Sequence, residues 1–141
     1  MVEVSVTTSI QVRGGPTLSL GEALEPESYA FASVELPAVG GETAVHKVVL
    51  LPDGGAVVLL GLTARFHGDA APGGAAEIAV TPENGAERGE EFAVRGSLVI
   101  ANEGALRALV AGGPRSLTLK NPGNAPVAVD VLSCRSSAGQ G

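Results

Sequence analysis

The side chains best suited to acid–base, nucleophilic or metal chemistry are two histidines, one cysteine and fifteen carboxylates. His46 and His67 each stand alone, with no second His, Cys or carboxylate at ligand spacing, so a zinc site has no support. They flank VVLLPDGGAVVLLGL (48–62), which reads as a hairpin turning at Pro52-Asp53-Gly54-Gly55. A turn centred between Asp53 and Gly54 sets His46 across from Gly61 and away from His67. Both read as partly exposed strand histidines. An enzyme would need both of them and a carboxylate to converge. Cys134 ends the last apolar run and reads as a buried thiol, and a single cysteine excludes an intrachain disulfide. Glu35, Glu77 and Asp130 each fit strand alternation as outward residues. The acids of PENGAERGEE (82–91) lack the spaced oxygen ligands of a calcium loop, and the stretch reads as a solvated hairpin tip. No G-x-S-x-G elbow, Walker loop or G-x-G-x-x-G after a strand occurs. The expectation is a protein that is not an enzyme, with no catalytic or metal-ligating residue and no cofactor.

These groups would have to be positioned by a chain of 141 residues, which is one domain with room for a real core. It is 45% hydrophobic but 3% aromatic, with no Trp, so the apolar mass is Val, Leu and Ala. That suits a tightly packed sheet and argues against an aromatic platform for sugars or bases. A net charge of −6 with nine Lys and Arg and no basic cluster excludes nucleic-acid binding through phosphate contacts. The mean hydropathy of +0.29 is high. No apolar run reaches the roughly 18 residues that span a bilayer, so no membrane partner is expected. The apolar surplus points instead to contacts between subunits. MVEVSVTTSIQV has no basic start and no continuous apolar stretch, and the reading is of a chain made in a cytoplasm without a signal peptide.

Period-two alternation dominates the chain. Val2, Val4, Val6, Thr8, Ile10 and Val12 form one face of a long strand that ends at Gly14-Gly15-Pro16. This strand is expected to pair within its own domain, with exchange onto a neighbouring subunit as the alternative. A short strand is expected at 17–20, then a loop at 21–28. In the next strand, 29–36, Ala30, Ala32, Val34 and Leu36 lie on one face and Tyr29 and Phe31 on the other. Further strands are expected at 77–81 and 92–100. Asn102 is a good N-cap for a short helix near 103–111, closed by Gly112 and blocked by Pro114. SLTLKNPGNAPVAVDV (116–131) reads as a closing hairpin. Leu117, Leu119, Val127, Val129 and Val131 face inward, and Ser116, Thr118, Lys120 and Asp130 face outward. The expected fold is all-β: a single β-sandwich or jelly-roll-like domain over 1–134, with one short helix and a flexible tail at 135–141.

The C-terminal third, FAVRGSLVIANEGALRALVAGGPRSLTLKNPGNAPVAVDVLSC (92–134), runs strand, helical turn, Gly-Pro, strand ending in Asn, tight turn, closing strand. It resembles the ends of small β-rich structural proteins of tailed bacteriophages, head-decoration and other virion components among them. Leu117 to Asn121, with Gly123-Asn124 and Pro126-Val127, also looks like immunoglobulin-like domains that serve as interaction modules. Those usually come as repeats in longer chains, which favours the first likeness.

The resemblance implies a structural protein of the virion that decorates or stabilises the capsid or forms part of the tail. Its partners would be itself, as a homo-oligomer such as a trimer, and a major capsid or tail protein. The alternative is an Ig-like module for a protein or carbohydrate, for which Tyr29, Phe31, Phe66 and Phe92 are the available aromatics. The flanks of the 48–62 hairpin are apolar on both faces, so its strands are either central in the sandwich or an interface. For the interface, the candidate residues are Val48, Leu50, Val58 and Leu60, or Val49, Leu51, Val57 and Leu59 on the opposite face. A one-residue change of register exchanges the two sets.

Overall fold

Alternating apolar side chains can be buried on one side of a pleated strand only if a second surface covers them, and this chain supplies that surface with a second sheet. The computed structural model describes residues 3–38, 45–50, 55–67 and 74–136. In chain order its strands are β1 (Val4–Gln11), β2 (Thr17–Leu24), β3 (Ser28–Leu36), β4 (Val45–Val49), β5 (Ala56–Phe66) and β6 (Glu77–Asn84). They continue with β7 (Glu87–Arg88), β8 (Phe92–Arg95) and β9 (Ser97–Ile100). The helix α1 (Glu103–Arg107), β10 (Ser116–Lys120) and β11 (Val127–Ser136) complete the chain.

One sheet has the order β3-β11-β5-β9, and the other β4-β10-β6 with both β7 and β8 paired to β6. All pairs are antiparallel. If the short β7 is set aside, the strands from β3 onward run 1-8-3-6 in one sheet and 2-7-4-5 in the other. That is the order of a jelly roll, in which most connections pass from one sheet to the other. It is not the immunoglobulin arrangement, where the first two strands share a sheet. Leu36, Leu60, Leu62, Val129 and Val131 from one sheet meet Val48, Ile78, Val80, Leu117 and Leu119 from the other in a single core.

The expected hairpin at 48–62 does not form. β4 pairs with β10, and β5 lies between β11 and β9 in the opposite sheet. Residues 51–54, which hold most of its expected turn, lie outside the described residues. The stretch 116–131 is likewise a corner between sheets and no hairpin, because β10 pairs with β4 and β6 while β11 pairs with β3 and β5. Inward alternation is the same for a hairpin and for a corner, so the pattern alone leaves the two alike. The expected strand at 92–100 is divided at Gly96, whose φ of 81° turns the chain out of the second sheet and into the first. There its N–H donates to Ala76 O, and its carbonyl accepts from Ala64 N.

The corner at 121–126 is held by a side chain. Asn121 is 1% exposed. Its Nδ2 donates to Ala125 O at 2.8 Å and Pro37 O at 2.9 Å and lies 3.3 Å from Leu36 O, and its Oδ1 accepts from Gly123 N at 2.9 Å. One carboxamide thus ties the end of β3 to the link between β10 and β11.

Smaller departures have local causes. β2 runs to Leu24 through the stretch expected as loop, because β1 offers partners along its whole length. β6 continues through Pro82 and Glu83 to Asn84, and both Pro82 and Glu83 are buried. The helix is one short turn, capped as expected by Asn102, whose side chain accepts from Ala105 N. β11 includes Arg135 and Ser136, which the sequence places in the tail.

Replacing Asn121 with Ala leaves one buried and two half-buried carbonyls and one N–H without this partner, and is expected to cost about 3 kcal/mol. Asn102→Ala, which removes only a cap, should cost about 1 kcal/mol. Urea unfolding of both variants checks the order; equal losses would contradict the corner's role.

Candidate functional site

The chemistry-bearing side chains do not converge. His46 is exposed on β4 opposite Leu119 in one sheet, and His67 follows β5 in the other. His67 Nε2 lies 3.3 Å from Glu35 Oε1, an exposed pair on the surface. Among the described residues, no three His, Cys, Asp or Glu side chains group to hold a metal ion. No helix of the described residues is long and apolar enough to cross a membrane. Cys134 is fully buried, and burial pushes its thiol up from the ordinary range. Glu35, Glu77 and Asp130 are exposed, as alternation implies. Asp130 accepts from Ser33 Oγ at 2.6 Å across the β3–β11 pair.

Glu83 is the buried acid that the sequence placed in a solvated tip. It accepts from Thr118 Oγ1, and its other oxygen is 3.7 Å from Arg88 Nη2. The Thr118 hydroxyl holds its carboxyl below the usual range; burial opposes this, and Lys47 and Arg88 add to it. The signal was Thr118 itself, an outward polar residue on a strand that turns out to be central, with β6 beside it.

The interface candidates are mostly consumed by the domain itself. Val48, Leu50 and Leu60 are buried in the core, so they present no surface to a partner. Val58 is half-buried at an irregularity of β5, where Cys134 faces Leu59 and Arg135 faces Val57, leaving Val58 as the extra residue. Of the opposite set, Val57 and Leu59 are buried and Val49 is exposed, while Leu51 lies outside the described residues. The two-faced apolar character of β5 therefore reflects a central strand.

The uncovered apolar surface lies elsewhere. Phe31, Leu132, Gly61 and Val99 form one row across the outward side of β3, β11, β5 and β9. Phe31 is 60% exposed and Val99 53%. Tyr29 is exposed two residues before Phe31, whereas Phe66 and Phe92 pack on the core. With Thr63, Ser97 and Asp130, the row borders an open trough of about 440 Å³.

Beside it stands the β1–β2 hairpin, which joins neither sheet. The N-terminal strand thus pairs within its own chain, with β2 alone. The register puts Val4, Val6, Thr8 and Ile10 on the same side as Leu18, Leu20, Glu22 and Leu24. This side overhangs β9. Val6, Thr8, Leu20 and Glu22 line a cleft of about 430 Å³ with Ser97, Val99 and Ala101. The sequence showed the β1 alternation plainly, but gave no sign that its apolar side would remain open.

Neither a protein-family model nor a curated protein matches the chain.

For Glu83, the folded value lies below the unfolded value of about 4.3, so its contribution is whole above that pH and fades as pH falls through the folded value. Glu83→Gln should be less stable than the parent at pH 7 and show a shallower loss of stability below pH ~4.5. Urea midpoints measured from pH 7 to pH ~2.5 check this; parallel curves would show that Glu83 is not the group concerned. Cys134 should resist a thiol reagent at pH ~8 until the chain is unfolded, because burial both blocks access and disfavours the thiolate.

Proposed function

We propose that this protein is a non-enzymatic structural component of a tailed-phage virion, decorating or stabilising the capsid by docking on the lattice and on copies of itself. The observation that carries the reading is the open apolar side of the β3-β11-β5-β9 sheet, adjoined by the apolar side of the β1–β2 hairpin. Exposed apolar surface of this extent marks a contact site for a macromolecule. The C-terminal resemblance supplies the kind of particle. The jelly roll is shared by viral capsid domains and lectins, which adds an analogy of fold and nothing about chemistry.

The exposure of Tyr29 and Phe31 side by side on β3 favours one second reading, a binding module that stacks a carbohydrate on these rings. A glycan-array signal lost in Tyr29→Ala would select it.

The particle reading is tested with virions banded from a strain that encodes the chain. The protein is expected to travel with the particles through the density gradient. Recovery only in the soluble fraction would contradict the reading.

A further inference from the structure

A strand at the end of a sheet keeps one row of backbone groups without a partner. In the sheet β3-β11-β5-β9 that row can be assigned residue by residue. On one side of β5, Ala64 N donates to Gly96 O and Phe66 N to Gly74 O; on the other, His67 N donates to Pro126 O. Even-numbered residues of β5 therefore bond away from β11 and odd-numbered ones towards it. The registers carry this alternation across the sheet. β11 bonds to β5 through Ala128, Asp130 and Leu132, and to β3 through Val127, Val129, Val131 and Ser133. On β3 the latter meet Leu36, Val34, Ala32 and Ala30. The free edge is left with the N–H and C=O of Tyr29, Phe31, Ser33 and Glu35, and no described strand pairs with them.

This edge lacks the features that keep other edges from pairing. β4, at an edge of the second sheet, has five residues and carries Lys47. β9, at the far edge of the same sheet, has four, and its Ser97 and Val99 face the β1–β2 hairpin across the cleft. β3 has nine, with no Lys, Arg or Pro, and its register with β11 runs without a bulge. Its outward residues include Tyr29 and Phe31, which are 59% and 60% exposed.

Set antiparallel against a second copy of itself, the edge fits in one register. With Ala32 on the two-fold axis, Tyr29 lies opposite Glu35 of the second copy, and Phe31 opposite Ser33. Each of the four residues then meets another whose N–H and C=O are also free, giving four pairs of two hydrogen bonds each. An odd shift of register sets these residues against ones whose groups point into the β11 ladder. A shift of two one way sets Glu35 against Glu27, a like charge whose N–H already donates to Arg135 O. A shift of two the other way sets Tyr29 against Pro37, which has no N–H. In the fitting register no like charges stand opposite, and the two Phe31 rings are diagonal neighbours on the outward side. A nine-residue strand is about 30 Å long and a sheet about 10 Å thick, so the two edges cover about 600 Å² in all. That is a weak contact by itself, suited to copies held at the high local concentration of a lattice.

We propose, on the premise of the particle reading, that two copies of this chain join edge to edge through β3, two-fold and antiparallel about Ala32, so that their four-stranded sheets run on as one. The pairing sets both outward faces and both hairpin arms side by side as a single surface that stays free to dock. The edge contact is isologous and closes at two copies.

Ser33→Pro removes one edge N–H per copy and leaves the β11 ladder whole, because residue 33 bonds to the free side. Static light scattering on the full chain at about 1 mM should give at least the mass of two 14.0 kDa chains, with a dissociation constant of roughly 100 µM. Ser33→Pro should raise that constant roughly 10-fold or more, at a melting temperature close to the parent's. Ser33→Ala, which loses only the bond to Asp130, should leave it unchanged. Disulfides read the register and do not depend on how Ser33→Pro folds. Even-numbered residues would form the non-hydrogen-bonded pairs, with Cα atoms about 4.5 Å apart, within disulfide reach. Ala32→Cys should therefore bridge to itself under mild oxidation, and Ala30→Cys only to a chain carrying Val34→Cys. Association that Ser33→Pro leaves intact, or bridges that form alike at all three positions, overturns the pairing and leaves self-association through the face standing. Association lost in Ser33→Pro with no bridge at Ala32 puts another strand on the edge, β1 or β2 of a second copy among them, and overturns the two-fold contact. A parent that is monomeric at that concentration, with no bridge at Ala32, also overturns it, while co-banding with virions still decides the particle reading separately.

Discussion

The carboxamide of Asn121 is the constraint on which the rest of the domain depends. A jelly roll sends its chain repeatedly from one sheet to the other, and each crossing brings backbone groups off a ladder at the rim of the core. A buried carbonyl without a partner costs about as much as a lost hydrogen bond. At 121–126, Pro122 and Pro126 remove two donors, so the ladder cannot continue; Ala125 O and Pro37 O take the two hydrogens of Asn121 Nδ2, with Leu36 O 3.3 Å from the same nitrogen. That places β10 in one sheet and β11 in the other, and β11 becomes the strand that joins β3 to β5. At another crossing, between β8 and β9, Gly96 does with a positive φ what Asn121 does with a side chain.

Much of this was legible, and what was not has definite physical reasons. The faces of β1, β3 and β10, and the Asn102 cap, follow from alternation and capping chemistry, which are local. The assignment of strands to sheets is not local. The runs at 48–62 and 116–131 look like hairpins because each has a turn between apolar strands, and a turn fixes reversal without fixing the partner. The burial of three of the interface candidates has the same cause. Val48, Leu50 and Leu60 are open to an intersubunit role only if β4 and β5 form one ribbon; with the two strands in separate sheets, all three point into the core. Val58 parts from the other three candidates at the bulge opposite Cys134 and Arg135, which no pattern of residue types announces. Glu83 and Asn121 were missed because polar residues beside Pro and Gly read as surface turns, and only tertiary packing buries them.

The distribution of apolar surface then follows from the topology. Both sheets spend their inward sides on each other. The outward side of β3-β11-β5-β9 retains Phe31, Leu132 and Val99, and the hairpin, which belongs to neither sheet, retains Ile10, Leu18 and Leu20. By contrast, the outward side of β4 interrupts Val45 and Val49 with Lys47 and ends at a sheet edge, where a charge discourages strand addition. The two surfaces differ in kind, and only the first is continuous with an apolar arm.

The central claim is that association covers this outward side and its arm while leaving β4 free. Hydroxyl-radical footprinting of the full chain, read by mass spectrometry at low and high concentration, tests it side chain by side chain. The account predicts that Leu18, Leu20 and Phe31 lose reactivity together as concentration rises, with Val45 and Val49 unchanged. Protection of Val45 and Val49 instead, or reactivity at Phe31 that does not depend on concentration, would contradict it.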